Sequence, residues 1–381
     1  MVASSVSSAA TAGEARSSGF FRVGLGSVQP MVTSDDTGRL SDLRQAKVRA
    51  LVGDHWRVEG PPETGHIPGG ATLYEGSLGR GWVLLDDGAV SGFGAALAWA
   101  HRRSCSQLHV LVEDRGRESS GIVARRSVLF NDPPTVWRVD RRSLHPAVPA
   151  PAVSVSVPSN ASVDQVPTDV LDGLSAEIAA HGAIPVIEHG TLHGEVLGLE
   201  VVRVVADGDG GWRLSVGVGL HDRQAREGLR PDEPVGRALE DTVALVRQWR
   251  TAADRRHPAN IIARERLLRA AVIAHPEMAG AASLAPVPSP LPTDDLRAPA
   301  PAGALGSDGR GEAVVAVCSA GVDVDLVPTA ADIRLLHAPD ARLVLVVPEA
   351  DAYPLTRELA ARLSNPAEVR EVGRDWPRLV V

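Results

Sequence analysis

Residues 313–372 read AVVAVCSAGVDVDLVPTAADIRLLHAPDARLVLVVPEADAYPLTRELAARLSNPAEVREV. Ala313 to Val317 and Leu343 to Val347 are apolar, largely β-branched runs. They are too short for helices and are bounded by turn residues, so each is expected to be a strand buried on both faces. Thr329 to Leu336 has helical periodicity. Pro354 opens a second helix, running to Leu363, at the position where its missing N–H costs nothing. Glu368 to Val372 supplies a third strand, and the stretch reads strand, helix, strand, helix, strand.

The same rhythm occurs upstream: strand Trp82 to Leu85, helix Gly94 to Arg103, strand Leu108 to Val112, helix Gly121 to Phe130, strand Thr135 to Val139. Strand positions at Trp82, His109 and Thr135 are 27 and 26 residues apart, and those at Val314, Leu343 and Val369 are 29 and 26 apart. Arg125 to Val139 (RRSVLFNDPPTVWRV) and Arg362 to Val372 (RLSNPAEVREV) both pass from helix through Asn and Pro into a short strand. An internal duplication is one reading of this match; two unrelated α/β segments with short loops is the other. The expected fold is α/β, with two Rossmann-like βαβαβ half units flanking a central α+β section. The half units are expected to share one doubly wound sheet or to face each other as two sheets. In either case loops at the carboxyl ends of the strands flank a crevice, where such folds bind ligands.

Around these units, residues 1–40 are rich in Ser, Ala and Gly without apolar periodicity and are expected to form a flexible tail. The N-terminal unit spans 41–145, and a Pro-rich linker follows over 146–167. The central section, 168–278, opens on a helix capped near Thr168 and ended by Gly182. Strands are expected at Ile184 to Glu188, Glu195 to Val205 and Trp212 to Leu220, then helices over Val235 to Arg250 and Asn260 to Ala274. Residues 279–310, rich in Pro, Ala and Gly, read as a crossover, and 311–381 is the C-terminal unit.

Composition narrows the chemistry. The 381 residues carry 39 basic and 47 acidic side chains, a net charge of −8, and 44% are hydrophobic, enough for a sizeable core. No apolar run reaches the roughly 18–20 residues of a membrane helix, and the start lacks a signal-peptide core. The chain is therefore expected in the cytoplasm and away from membranes. Of the basic residues only Lys47 is a lysine. This excludes the P-loop lysine, the protein-kinase strand lysine and a pyridoxal Schiff base, since Lys47 sits in none of those contexts. Cys105 and Cys318 are too few for a disulfide framework. Nine arginines fall within residues 102–142, but the acidic balance and 3% aromatics argue against nucleic acid as a partner.

Two turns stand between strand and helix. Cys318, Ser319, Gly321, Asp323 and Asp325 lie in VCSAGVDVD, and Asp86, Asp87, Gly88, Ser91 and Gly92 lie in DDGAVSGFG. Small residues there leave room for backbone N–H groups to hold an anion, and Gly92 and Gly94 either permit close approach of a ligand or supply the positive φ of a tight turn. Cys318, at a helix start, is a candidate nucleophile or a packing residue. Asp86, Asp87, Glu113 and Asp114 at strand ends are candidates for a ribose or a metal, or are solvated carboxylates. In the central section four of the twelve histidines fall within 42 residues. His189, His193, Glu195, His221 and Asp222 there are a candidate metal set, because imidazole and carboxylate suit Zn, Mn or Fe.

Ser319, Gly321 and Asp323 resemble the SGGxDS loop of PP-loop ATP pyrophosphatases over about six residues, with Ala320 and Val324 replacing a glycine and the terminal serine. That resemblance implies adenylating chemistry on ATP. The central helix and strands, with Glu177, Glu195 and Glu200, look like the core of a PD-(D/E)xK nuclease from which the lysine is missing. HGTLHGEVLGLEVVRVV and VCSAGVDVDLVPTAADIRLL resemble a recurrent pattern in actinobacterial proteins without assigned activity, and this implies no chemistry. Three functional readings follow. The first is binding of a nucleotide or other phosphate-bearing small metabolite at turns 86–94 and 318–325. The second is metal-dependent hydrolysis at the central cluster, and the third is a non-catalytic assembly role. The motifs name no cofactor and no oligomeric state.

Overall fold

The first unit opens with a helix, α1 (Ser34–His55), in a computed structural model that describes residues 34–86, 88–114, 118–153, 162–207, 209–250, 257–292 and 300–380. The tail expected to reach residue 40 therefore ends by Ser34, and the remainder of it lies outside the described residues. Val48, Leu51 and Val52, spaced three and one apart on one face of α1, are buried. After α1 come β1 (Glu63–Ile67), β2 (Gly70–Glu75), β3 (Arg80–Leu85), α2 (Ala89–Arg102), β4 (Gln107–Glu113), α3 (Ser119–Ser127), β5 (Thr135–Asp140) and β6 (Ser143–Pro146). They form a six-stranded sheet in sequence order, in which β3, β4 and β5 are parallel and the outer pairings antiparallel. The Pro68-Gly69 turn, with Gly69 at φ +71°, closes the hairpin between β1 and β2.

The central section contains α4 (Thr168–Ala180), β7 (Ile184–Glu188), β8 (Thr191–Val196), β9 (Leu199–Ala206), β10 (Trp212–Val216), α5 (Gly219–Leu229) and α6 (Val235–Trp249). Its four strands form an antiparallel meander. The single strand expected from Glu195 to Val205 is broken at Leu197-Gly198, both at positive φ, and a Cβ on Gly198 would lie 2.5 Å from the Arg266 backbone. The strand expected to end at Leu220 stops at Val216, because Asp222 accepts a hydrogen bond from the Val218 N–H (2.7 Å) and starts α5.

The last unit comprises α7 (Arg264–Ala274), β11 (Ser283–Val287), β12 (Ala302–Ser307), β13 (Ala313–Cys318), α8 (Leu326–His337), β14 (Arg342–Pro348), α9 (Pro354–Ala361) and β15 (Glu368–Val372). Its five strands pair in sequence order, the first two pairings antiparallel and the last two parallel. The crossover expected over 279–310 thus contains two strands. Pro286 sits in β11, which is an edge strand where a missing N–H is tolerated.

Strand parity sorts the core into layers. Val83 and Leu85 of β3, Val110 and Val112 of β4, Val315 and Val317 of β13, and Leu343, Leu345 and Val347 of β14 share one cluster with α2, α3, α8 and α9. The alternate residues face outward: Trp82, Leu84 and Leu111 pack on α1, while Val314, Ala316, Val344 and Val346 pack on α7. Two separate mixed sheets therefore face each other across four helices, and each is capped outside by one helix. The two units also share the element order helix, three strands, helix, strand, helix, strand. The starts of β3 and β5 are 55 residues apart, as are the starts of β13 and β15. Phe130 and Leu363 form an antiparallel bridge flanked by reciprocal bonds: the Asn131 N–H donates to Arg362 O and the Ser364 N–H to Leu129 O, both at 2.9 Å.

Candidate functional site

A crevice of about 600 Å³ opens at the carboxyl ends of β13 and β14. Four parts of the last unit line it: Val347 near the end of β14, the Gly321–Val324 turn, the first turn of α8 (Leu326, Val327), and the run from Asp351 into α9 (Tyr353, Leu355, Glu358). The first unit contributes His101 and Arg102 from the end of α2. Most of the wall is apolar, and the rim stays open to solvent at Val322, Val324 and Tyr353. His101 Nε2 lies 2.6 Å from Glu358 Oε2 and ties the two units together at the mouth.

The turn is held by one of its own carboxylates, by Asp351 and by the end of β14. Asp323 Oδ1 accepts the Asp325 N–H (2.9 Å), Asp351 Oδ2 accepts the Gly321 N–H (2.7 Å), and the Ser319 N–H donates to Val346 O (3.1 Å). Asp325 Oδ1 accepts the Gly94 N–H at 2.7 Å and so pins the turn to α2. Three N–H donors of the turn, those of Ser319, Gly321 and Asp325, are thus taken, and Asp323, Asp351 and Glu358 share the lining with Arg102 and His101. Asp323 Oδ2 and Ser319 Oγ are buried without a hydrogen-bond partner among the described residues. Burial pushes the Asp325 carboxyl up to about 7, against the bond from Gly94 and with help from Asp323; burial raises Asp323 as well. Burial also pushes the Cys318 thiol up to about 12, opposed only weakly by Arg269, which leaves it a packing residue rather than a thiolate nucleophile.

The turn of the first unit does not share this crevice. Asp86 pairs with Arg44 and accepts the Gly88 N–H (3.3 Å), Ser91 Oγ donates to Gly88 O (3.1 Å), and Gly92 packs on the Leu85 side chain. Asp87 lies outside the described residues. Glu113 pairs with Lys47 (2.8 Å), and Asp114 accepts from Ser120 Oγ (2.6 Å), so these strand-end carboxylates have protein partners. Of the ten residues nominated in the two turns, Gly321 and Asp323 line the crevice. The residues the sequence did not nominate, His101, Arg102, Asp351, Tyr353 and Glu358, come from helix ends and loops with no motif of their own. The arginine-rich stretch is partly interior: Arg125 and Arg126 are buried against Asp332.

In the central section the structure brings His193 and Glu195 together with Glu188, their ligand atoms lying within 4.8 Å of one another. His189 stands in the turn before β8 at φ 52°, its Nε2 3.9 Å from Glu188 Oε1, while His221 and Asp222 lie on α5 outside the group. Two guanidinium groups already hold the carboxylates. Arg266 bonds Glu188 Oε2 and Glu195 Oε1, both at 2.7 Å, and Arg269 bonds Glu195 Oε2 at 2.5 Å. Burial alone would raise Glu195, but Arg269, the His193 hydrogen bond and Arg266 outweigh it and hold the carboxyl well below its usual range. A cation there would have to displace two arginines, so the cluster is an ion network joining β7 and β8 to α7. Glu200 is likewise engaged, by Arg203 and Arg223.

Compared with protein-family models, with curated proteins and with solved structures, the chain finds no match. No helix among the described residues is long and apolar enough to cross a membrane.

Proposed function

We propose that this is a binding protein whose site is the crevice at the ends of β13 and β14, and that its two α/β units are Rossmann-like halves of an internal duplication. The observation that carries the reading is Asp323, which lines an apolar crevice of about 600 Å³ and whose Oδ2 is buried without a partner among the described residues. An orphaned buried acceptor costs free energy that a ligand donor would recover. The ligand this favours has an apolar body and a hydrogen-bond-donating or cationic head. A nucleotide or phosphate-bearing metabolite fits less well, since it would meet Asp323, Asp351 and Glu358 against Arg102 and a His101 already paired with Glu358, and a turn in which the Ser319, Gly321 and Asp325 N–H groups are taken. Metal-dependent hydrolysis at Glu188, His193 and Glu195 has the two arginines against it.

Thermal unfolding against a panel of apolar amines, nucleotides and phosphate metabolites tests this. A ligand at one hundred times its dissociation constant adds about 2.7 kcal/mol. Apolar amines are expected to raise Tm, and Asp323→Asn to remove most of the increment. Stabilisation by nucleotides that survives in Asp323→Asn would replace this ligand class with the phosphate one. No stabilisation by any member of the panel would reject the crevice as a small-ligand site.

A further inference from the structure

On the duplication proposed above, the flank of α9 that lines the crevice corresponds to a flank of α3, and there the chain itself lies against the helix. Counting back from the bridged pair Phe130 and Leu363 matches Gly121 with Pro354, nine residues before the bridge, and Arg125 with Glu358, five before it. Pro354 and Glu358 line the open crevice. Their matches are covered by residues 147–151, which leave β6 as an extended, proline-rich strand of chain. Gly121 O accepts the Ala150 N–H at 2.9 Å, and the Arg125 guanidinium donates to Pro151 O at 2.5 Å. A Cβ on Gly121 would stand 3.1 Å from Ala150 Cβ and 3.2 Å from Val148 O, so the segment lies directly on the helix start. Ala147 joins the core shared by the two units.

We infer that the crevice beside α9 is a docking groove for an extended, proline-containing apolar segment of a partner polypeptide that carries a basic residue. This deepens the crevice reading above and rests on it. Three observations favour such an occupant. The matching flank of α3 holds a segment of that chemistry, PAVPAPAV over residues 146–153. The groove wall is apolar, with Tyr353 and Pro354 offering flat surfaces of the kind on which proline-rich segments pack. The charge at the helix is reversed between the units, Arg125 in the first against Glu358 in the last, and Asp323 and Asp351 stand beside Glu358. The segment in the first unit presents a carbonyl to an arginine; a partner at α9 would present a cation to the carboxylates. A proline-rich segment also loses little conformational freedom on binding.

The probe is a synthetic peptide, PAVPAPAVR, which copies residues 146–153 and adds one arginine. It is titrated into the full chain to about 5 mM, a range that detects millimolar affinity, and the methyl resonances of Val and Leu are followed. Saturable shifts confined to Val322, Val324, Val347 and Leu355 are expected. Val322→Lys, an exposed rim substitution, is expected to weaken binding at least about fivefold by setting a cation against the peptide's arginine and its apolar body. Val128→Lys, on an exposed position elsewhere, is expected to leave binding unchanged, and equal melting temperatures of the three proteins show that each is folded. Shifts scattered over the surface, shifts indifferent to Val322→Lys, or none at all overturn the proposal. If the peptide fails while apolar amines still stabilise the protein through Asp323, the crevice reading stands and only its occupant is wrong; if both fail, both fall.

Discussion

Asp325 shows how a side chain that reads as a ligand group can serve the fold. Its burial comes from the pressing of the 319–325 turn against α2, and its bond to the Gly94 N–H is the return. Because its folded pKa is raised from 3.8 to about 7, the folded protein holds the proton more tightly than the unfolded chain between roughly pH 4 and pH 7. Stability contributed by this group therefore falls as pH rises through that window, and the cost is complete above it. Asp325→Asn keeps an acceptor for Gly94 and cannot ionise. We expect it to stabilise the protein by about 4 kcal/mol near pH 8 and hardly at all near pH 4. Denaturant unfolding of both proteins at the two pH values measures this, and a difference independent of pH would refute it. The sequence marked Asp323 and Asp325 as special because small residues and carboxylates cluster between a strand and a helix. It did not reveal that carboxylates would take the Gly321 and Asp325 N–H groups, since Asp351, which takes the Gly321 N–H, lies 30 residues away.

Between elements, the decisive contact is the crossing of α2 and the turn before α8. Gly94 sits inside α2, where glycine weakens a helix by up to about 1 kcal/mol relative to alanine. It is there because a Cβ would fall 2.1 Å from Val324 O and 2.8 Å from Asp325 Cα. The sequence offered Gly94 either close approach to a ligand or the positive φ of a tight turn; its φ is not positive, and what approaches it is the backbone of the turn before α8. Gly94→Ala should cost about 2–4 kcal/mol despite its better helix propensity, because the alanine forces a buried backbone apart. A variant as stable as the parent in urea unfolding would show that the turn yields easily. The parallel strands were legible because their apolar runs are short and continuous. β11 and β12 were not, since Pro286, Gly303 and Gly306 break the pattern that marks strands. Those glycines answer to packing: a Cβ on Gly306 would lie 1.8 Å from Ser283 O. α1 was missed for a similar reason, with Val48, Leu51 and Val52 scattered among charged residues whose pairing with Asp86 and Glu113 appears only after folding.

The two units are held together at a charged point inside an apolar core. Asp332 on α8 is fully buried; Arg125 of α3 grips it with Nε at 2.7 Å and Nη2 at 2.9 Å, and Arg126 Nε adds a third bond at 3.1 Å. A lone buried charge is far more costly than a paired one, so the arginines of one unit depend on the aspartate of the other. The sequence showed Arg125-Arg126 as part of a basic stretch, and nothing local distinguishes an arginine bound for the interior from one on a solvated face. Asp332→Ala leaves two buried guanidinium groups without a carboxylate, each with one backbone carbonyl, and should cost about 3–5 kcal/mol. Because α2, α3, α8 and α9 share one cluster with both sheets, the loss should fall on the two units equally. Hydrogen exchange is expected to show amides of β4 and of β14 losing protection by the same free energy. Loss confined to one sheet would mean that each unit folds on its own and that the buried triad only docks them. Equal loss would make the crevice, walled by α9 of one unit and the end of α2 of the other, a property of the joined pair alone.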